Sequence, residues 1–215
     1  MKKAVYFIVL ILLAFPGMAC FKAKKKAADT QARYQLKSGI IKFKLKGVFE
    51  GTKTLYFDRW GMREAHYETR KMELSGQQKA NKEKTLNLSD GKWFYSINLN
   101  KKTGIKNKKV LTPIKNIDAD MKRYRAKKTG SGSILGRKCD IWEINMKMAK
   151  NKTWMWKNIP LKTVVKTMGK TMSTAAIKIE ENVVIPEDKF KIPAGIKITS
   201  MEEMMKKMKN LGKKK

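Results

Sequence analysis

Few residues in this chain are of types that could do chemistry. The one histidine, His66, alternates with Glu64 and Glu68, and a histidine beside a carboxylate is the raw material of general acid–base work. In an extended segment those three side chains share a face, and Ala65 and Tyr67 share the other. The pattern reads first as the wet face of a strand. No serine lies in a nucleophile-elbow pattern. Gly130-Ser131-Gly132 lacks the lysine of a phosphate-binding loop. Glu180-Glu181 and Glu202-Glu203 are adjacent acids, which point apart on a strand or helix. The two cysteines, Cys20 and Cys139, make neither a disulfide framework nor metal spacing. The expectation is a protein that is not an enzyme, with no catalytic residue, no metal and no cofactor.

Cys20 carries a different chemistry. Lys2 and Lys3 precede an apolar run from Ala4 to Phe15, which Pro16 and Gly17 break. Gly17, Met18 and Ala19 form a small-x-small cleavage site directly before Cys20. This is a secretory signal over residues 1–19, and the run is short of the ~20 apolar residues a membrane-spanning helix needs. A cysteine at the first mature position is where a bacterial lipoprotein accepts its lipid. The two positions before Ala19 depart from the ideal lipobox, and an ordinary signal leaving a free thiol is the competing reading. Lipidation of Cys20 is expected, since an exposed free thiol is a liability in an oxidising compartment. Cys139 then has no partner and reads as a small buried hydrophobe; a Cys20–Cys139 bridge is the alternative. In a Gram-negative host, Phe21 rather than Asp after the anchor makes the periplasmic face of the outer membrane the expected location by lipoprotein sorting rules.

The charge is extreme. Lys and Arg number 50 against 18 acids, a formal net charge of +32 over 215 residues. Only seven of the cations are arginine, the usual residue for reading phosphates and bases. A lysine field attracts anionic surfaces diffusely, so the partners expected from it are a membrane, already reached through the N-terminal lipid, and an anionic envelope surface. A proteome-wide drift toward lysine explains the excess equally well. Phe43, Tyr56, Trp93 and Tyr95 interleave with basic residues as in sheets that stack bases, but an exported chain without a single-strand-binding motif points away from nucleic acid.

The elements that must position any site are mostly strands. Residues 20–36 read as a lipidated basic tether. Ile41, Phe43 and Leu45 alternate with Lys42, Lys44 and Lys46, a half-buried strand. Glu50-Gly51 turns the chain toward Thr52–Asp58, Arg59-Trp60-Gly61 turns it again, and Met62–Met72 extends. A loop runs through Ser75-Gly76 to Lys82. Thr85–Leu88 and Trp93–Leu99 flank Ser89-Asp90-Gly91-Lys92, a hairpin signal. Thr112-Pro113 starts a central helix through Ile114, Ile117, Met121 and Tyr124 that ends at Lys127, Lys128 and Gly130. Gly130–Ser133 is then a flexible link. Strands resume at Ile134, run through Trp154 and Trp156, and continue as Leu161–Met168, Met172–Val184 and a short Ile196–Ile198. Ser200 with Glu203 is a capping box for a last helix whose stripe is Met201, Met204, Met205, Met208 and Leu211. The expected count is about ten strands and two helices, in a β domain over 37–199 followed by an amphipathic helix and Lys tail over 200–215.

Two stretches resemble a known group. Gly51-Thr52-Lys53-Thr54-Leu55-Tyr56-Phe57-Asp58 followed by Gly61, and Ile134-x-Gly136-x-x-Cys139-x-x-Trp142 with Trp154-x-Trp156 and Ile159-Pro160-Leu161, are similar to uncharacterised bacterial lipoproteins. These in turn resemble the LolA/LolB/LppX-like superfamily of lipoprotein-sorting factors and lipid carriers. The resemblance spans about residues 37–198. It implies a mainly β fold with a few helices: a curved, incomplete antiparallel β-barrel covered by helices. It also implies an envelope lipoprotein that binds or carries a lipid or other hydrophobic ligand. The concave-face candidates for that ligand are Phe43, Leu45, Leu55, Phe57, Tyr67, Trp93, Tyr95, Trp154 and Trp156. The alternative is a structural or adhesive envelope protein whose Lys-rich surface binds anionic lipid, lipopolysaccharide or polymer.

Overall fold

The computed structural model describes residues 32–72, 82–108 and 117–212, with side chains to Lys206. The signal over 1–19, Cys20, the loop at Ser75-Gly76 and the helix start at Thr112-Pro113 lie outside the described residues.

Alternation of apolar and polar residues builds a single sheet of twelve strands. They are β1 (Gly39–Gly47), β2 (Phe49–Asp58), β3 (Arg63–Met72), β4 (Glu83–Ser89), β5 (Trp93–Asn98), β6 (Thr103–Lys108), β7 (Lys127–Ile134), β8 (Arg137–Met146), β9 (Ala149–Trp156), β10 (Ile159–Thr167), β11 (Lys170–Glu181) and β12 (Lys197–Ser200). The order across the sheet is β12-β6-β5-β4-β3-β2-β1-β11-β10-β9-β8-β7. Every neighbouring pair is antiparallel except β12, which lies parallel to β6. The sheet is curved and does not close, so the expected mainly β architecture is the observed one.

Two helices accompany it among the described residues: α1 (Ile117–Arg123) and α2 (Met201–Gly212). Helix α1 lays Ile117 and Met121 on Trp142, Ile144 and Met155 of β8 and β9. It ends earlier than Gly130. Arg125 turns left-handed at φ 58°, the Arg125 N–H donates to Lys122 O at 2.8 Å and the Ala126 N–H to Met121 O at 2.9 Å, which is a helix-terminating pattern. The segment expected as a link is therefore strand β7, paired with β8 around a bulge between Lys128 and Gly130. Strand β6 was not expected either, because TGIKNK offers one large apolar residue and no alternation. At α2 the expected capping box is present: Glu203 N–H donates to Ser200 Oγ at 3.1 Å, and Ser200 N–H to Glu203 Oε2 at 3.2 Å.

The core has two main parts on opposite faces of the sheet. One gathers Ile41, Phe43, Leu55, Phe57, Ile159, Leu161 and Cys139 with Tyr34 and Leu36. The last residues of the expected tether thus belong to the core. Their segment is fastened by Arg33 and Tyr34 N–H donating to Trp60 O, both at 2.9 Å, and by Trp60 N–H donating to Lys37 O at 2.9 Å. The second part packs Ala65, Leu86, Leu88 and Ile97 of β3–β5 beneath Ile185 and Phe190. Those two come from the segment after β11, which holds a 3-10 turn at Glu187–Phe190. Arg63 clamps this cover: it donates to both carboxylate oxygens of Glu187 at 2.7 Å, pairs with Asp58, and stacks 4.1 Å from the Phe190 ring centroid.

Candidate functional site

Strand register decides which side chains meet on the concave face. Directly opposite residues form rows across the sheet. One row reads Leu55, His66, Asn87, Ser96 and Ile105; the next reads Phe43, Lys53, Glu68, Thr85, Asn98 and Thr103. From β3 to β5 the large apolar side chains point the other way, to the Ile185–Phe190 cover. What remains on the concave face is polar.

These rows floor a cavity of about 570 Å³, within the usual range for small-molecule sites. Leu45, Phe49 and Met172 form one wall, and Ile105, Thr199 and Met204 of β6, β12 and α2 form another. Strands β11 and β12 are separated by six strands in the sheet order yet line the same space. The sheet must therefore curl around it. The floor carries Lys53, His66, Glu68, Arg70, Glu83, Thr85, Asn87, Ser96 and Asn98.

Two carboxylates here share one guanidinium. Arg70 lies 3.1 Å from Glu68 and 3.0 Å from Glu83, and its guanidinium stacks on Phe49. Asn98 Nδ2 also donates to Glu83 Oε1 at 3.2 Å. Just beyond the cavity, buried Glu64 pairs with Arg33 at 2.9 Å and takes a hydrogen bond from His66 Nε2 at 3.4 Å. Burial alone would raise the Glu64 pKa, but the charge of Arg33 and the hydrogen bond from His66 outweigh it and hold the carboxyl down at about 2. Burial lowers the His66 pKa despite Glu64, so the imidazole stays neutral near pH 7. Burial also lowers that of Lys53, against the pull of Glu68 and Glu64.

His66 therefore departs from the solvated position that its alternation suggested. Its face is wet only in the sense that it lines a cavity walled by distant strands. Among the described residues no three His, Cys, Asp or Glu side chains are grouped to hold a metal, and none of the described helices is long and apolar enough to cross a membrane.

The aromatic and aliphatic candidates are distributed rather than gathered. Leu45 lines the cavity. Phe43, Leu55 and Phe57 lie in the core with Tyr34, whose ring meets Phe57 edge-on at 5.0 Å. Tyr67 and Tyr95 are on the opposite face, under the 183–196 segment, where the Tyr67 hydroxyl donates to Lys189 O at 3.1 Å. Trp93 is exposed beside Lys106. Trp154 and Trp156 pack against the first core, topped by Lys152 and Lys162 and by Arg137 and Lys157. Sequence reasoning passed over Lys53, Arg70 and Asn87, and read Glu68 with His66 as the wet face of a strand. The signal that could have found them is the concentration of polar residues on one parity of β3 and β4.

No family model matches the chain, and no curated protein matches it. Solved structures do match. An uncharacterized conserved protein from Thermus thermophilus is 8% identical with TM-score 0.49, covering 77% of this chain and 91% of that one. LprF from Mycobacterium bovis is 10% identical with TM-score 0.37, covering 72% and 90%. A domain assigned to an outer membrane lipoprotein-sorting protein of Vibrio parahaemolyticus is 12% identical with TM-score 0.29, covering 74% and 92%.

Proposed function

We propose that this is an exported envelope lipoprotein, anchored through lipid on Cys20, that holds a lipid or other amphiphilic ligand in the curled sheet and does no chemistry on it. The observation that carries the reading is the cavity: about 570 Å³, with facing apolar walls from Leu45, Phe49 and Met172 and from Ile105 and Met204, over a polar floor. Apolar walls with a few convergent polar groups are what a cavity needs to bury a chain and orient its head. Native mass spectrometry of the chain purified from membranes tests this. A lipid-sized adduct is expected; a bare chain that also fails to take up a fluorescent fatty acid would overturn it. Replacing Cys20 with Ala should move the protein from the membrane to the soluble fraction, and unchanged partition would remove the anchor.

A second reading is favoured by Lys42 and Lys44, which stand exposed along β1. They belong to a surface that would adhere to anionic lipid, lipopolysaccharide or polymer, with binding that weakens steeply as salt rises. Vesicle binding insensitive to salt would count against it.

A further inference from the structure

The polar floor of the cavity contains three groups whose bonding is incomplete. Asn87 is 6% exposed, and its Oδ1 has no hydrogen-bond partner. Directly opposite it, His66 gives its Nε2 proton to Glu64, which leaves Nδ1 an acceptor, and that atom too is buried and unpartnered. Lys53, half-buried on the neighbouring strand, has its ammonium 4.8 Å from the Phe43 ring centroid. It forms no ion pair with a carboxylate among the described residues; Glu68, directly opposite it, pairs with Arg70 and acts on Lys53 only from a distance. Lys53 and His66 are diagonal neighbours on paired strands, about 7–8 Å apart at Cβ.

A buried acceptor without a donor costs free energy that a ligand can return. The half-buried Lys53 ammonium is only partly compensated: burial lowers its pKa in spite of the charges of Glu68 and Glu64. On the inward face, Arg70 holds both Glu68 and Glu83, which leaves Lys53 as the cation open to an acid in the cavity.

We infer that Lys53, His66 and Asn87 form the head-group subsite of the cavity, and that it takes an acid carrying a hydroxyl close to the acidic group on an apolar chain. The acid oxygen pairs with the Lys53 ammonium. The hydroxyl donates to Asn87 Oδ1 or His66 Nδ1. The chain runs along Leu45, Phe49 and Met172. This inference rests on the carrier reading above and specifies the ligand class.

The test is calorimetric titration of the full chain with three probes of equal chain length: dodecanol, dodecanoate and beta-hydroxydodecanoate. The hydroxy acid should bind tightest, by about tenfold over dodecanoate, since one added hydrogen bond to a charged or buried acceptor is worth roughly that factor. Dodecanol should be the weakest of the three. Lys53→Met should reduce the affinity of both acids about tenfold and leave dodecanol unchanged, whereas Lys53→Arg retains the preference for acids. Asn87→Leu should abolish the preference for the hydroxy acid. Equal binding of the three probes by the unmutated chain overturns the subsite while leaving the carrier reading intact, and needs no variant to fold. Failure of all three probes to bind overturns both.

Discussion

Glu64 and Arg33 meet at 2.9 Å where the N-terminal segment crosses the end of β3, and Glu64 is 7% exposed there. The pair ties the entering chain to the wall of the cavity, because the same carboxylate also holds His66. Breaking a buried pair by removing one partner leaves an uncompensated charge.

The pair makes a pH prediction. A folded Glu64 pKa of about 2, against 4.5 for an ordinary glutamate, means the unfolded chain binds the proton more readily. The stabilisation is fully present above about pH 4.5 and is lost as pH falls toward 2. His66 adds a second, upper component. Its lowered pKa, set by burial with Lys53 and Arg33 against Glu64, makes its contribution present above pH 6.5 and lost as pH falls through the folded value. Glu64→Gln should cost on the order of 3 kcal/mol at pH 7 and flatten the acid limb. Urea unfolding from pH 7 to pH 3 checks this; parallel curves for mutant and parent would refute it.

Gly61 fixes how the N-terminal segment docks. Its φ is +79°, and a Cβ there would lie 2.5 Å from the Tyr34 ring. Gly61→Ala carries both the left-handed backbone cost and the displacement of Tyr34, together about 2–3 kcal/mol. Thermal melts should show the loss. Tyr34→Ala in the Gly61→Ala background should cost less than in the parent, because removing the ring also relieves the clash.

Arg63 should act as a latch for the Ile185–Phe190 cover. Its planar fork serves Asp58 and Glu187 together while its face meets Phe190. Lysine keeps the charge but cannot satisfy two carboxylates in parallel. Arg63→Lys should cost about 1–2 kcal/mol, discounted because Glu187 is mostly exposed. It should also speed limited proteolysis within 182–196, and an unchanged cleavage rate would show that the latch is idle.

Cys139 is fully buried and free, and burial raises its thiol pKa. It should resist a thiol reagent in the folded chain and react at least about tenfold faster in urea, since the thiolate is the reactive form. Peptide mapping reports the site. Rapid labelling of Cys139 under native conditions would show that this end of the core opens.

The strands with one greasy side were legible in the sequence. Ile41, Phe43 and Leu45 bury as their alternation requires, and Asp90 makes the predicted turn by accepting Lys92 and Trp93 N–H at 2.9 and 2.7 Å. Strands β6 and β7 were not legible, because TGIKNK and KKTGSGSI carry no apolar side to detect. Their placement comes mostly from backbone pairing, with Ile105 and Ile134 as their large apolar side chains. The site was hidden for another reason. Period-two alternation separates the faces of β3 but does not say what covers each. Ala65 and Tyr67 found cover in a segment more than a hundred residues downstream, and that left His66 and Glu68 to the inside of the curl.

The open sheet leaves two rims, and they differ. Strand β12 is four residues long and turns at once into α2, so it offers little template to another chain. Strand β7 is longer, but Lys127 and Lys128 are exposed, and the bulge between Lys128 and Gly130 breaks its regular spacing. Charged residues, glycine and irregularity on a boundary strand discourage end-to-end growth into fibrils. Substituting valines for Lys127, Lys128 and Gly130 would remove those guards and invite self-assembly at that rim.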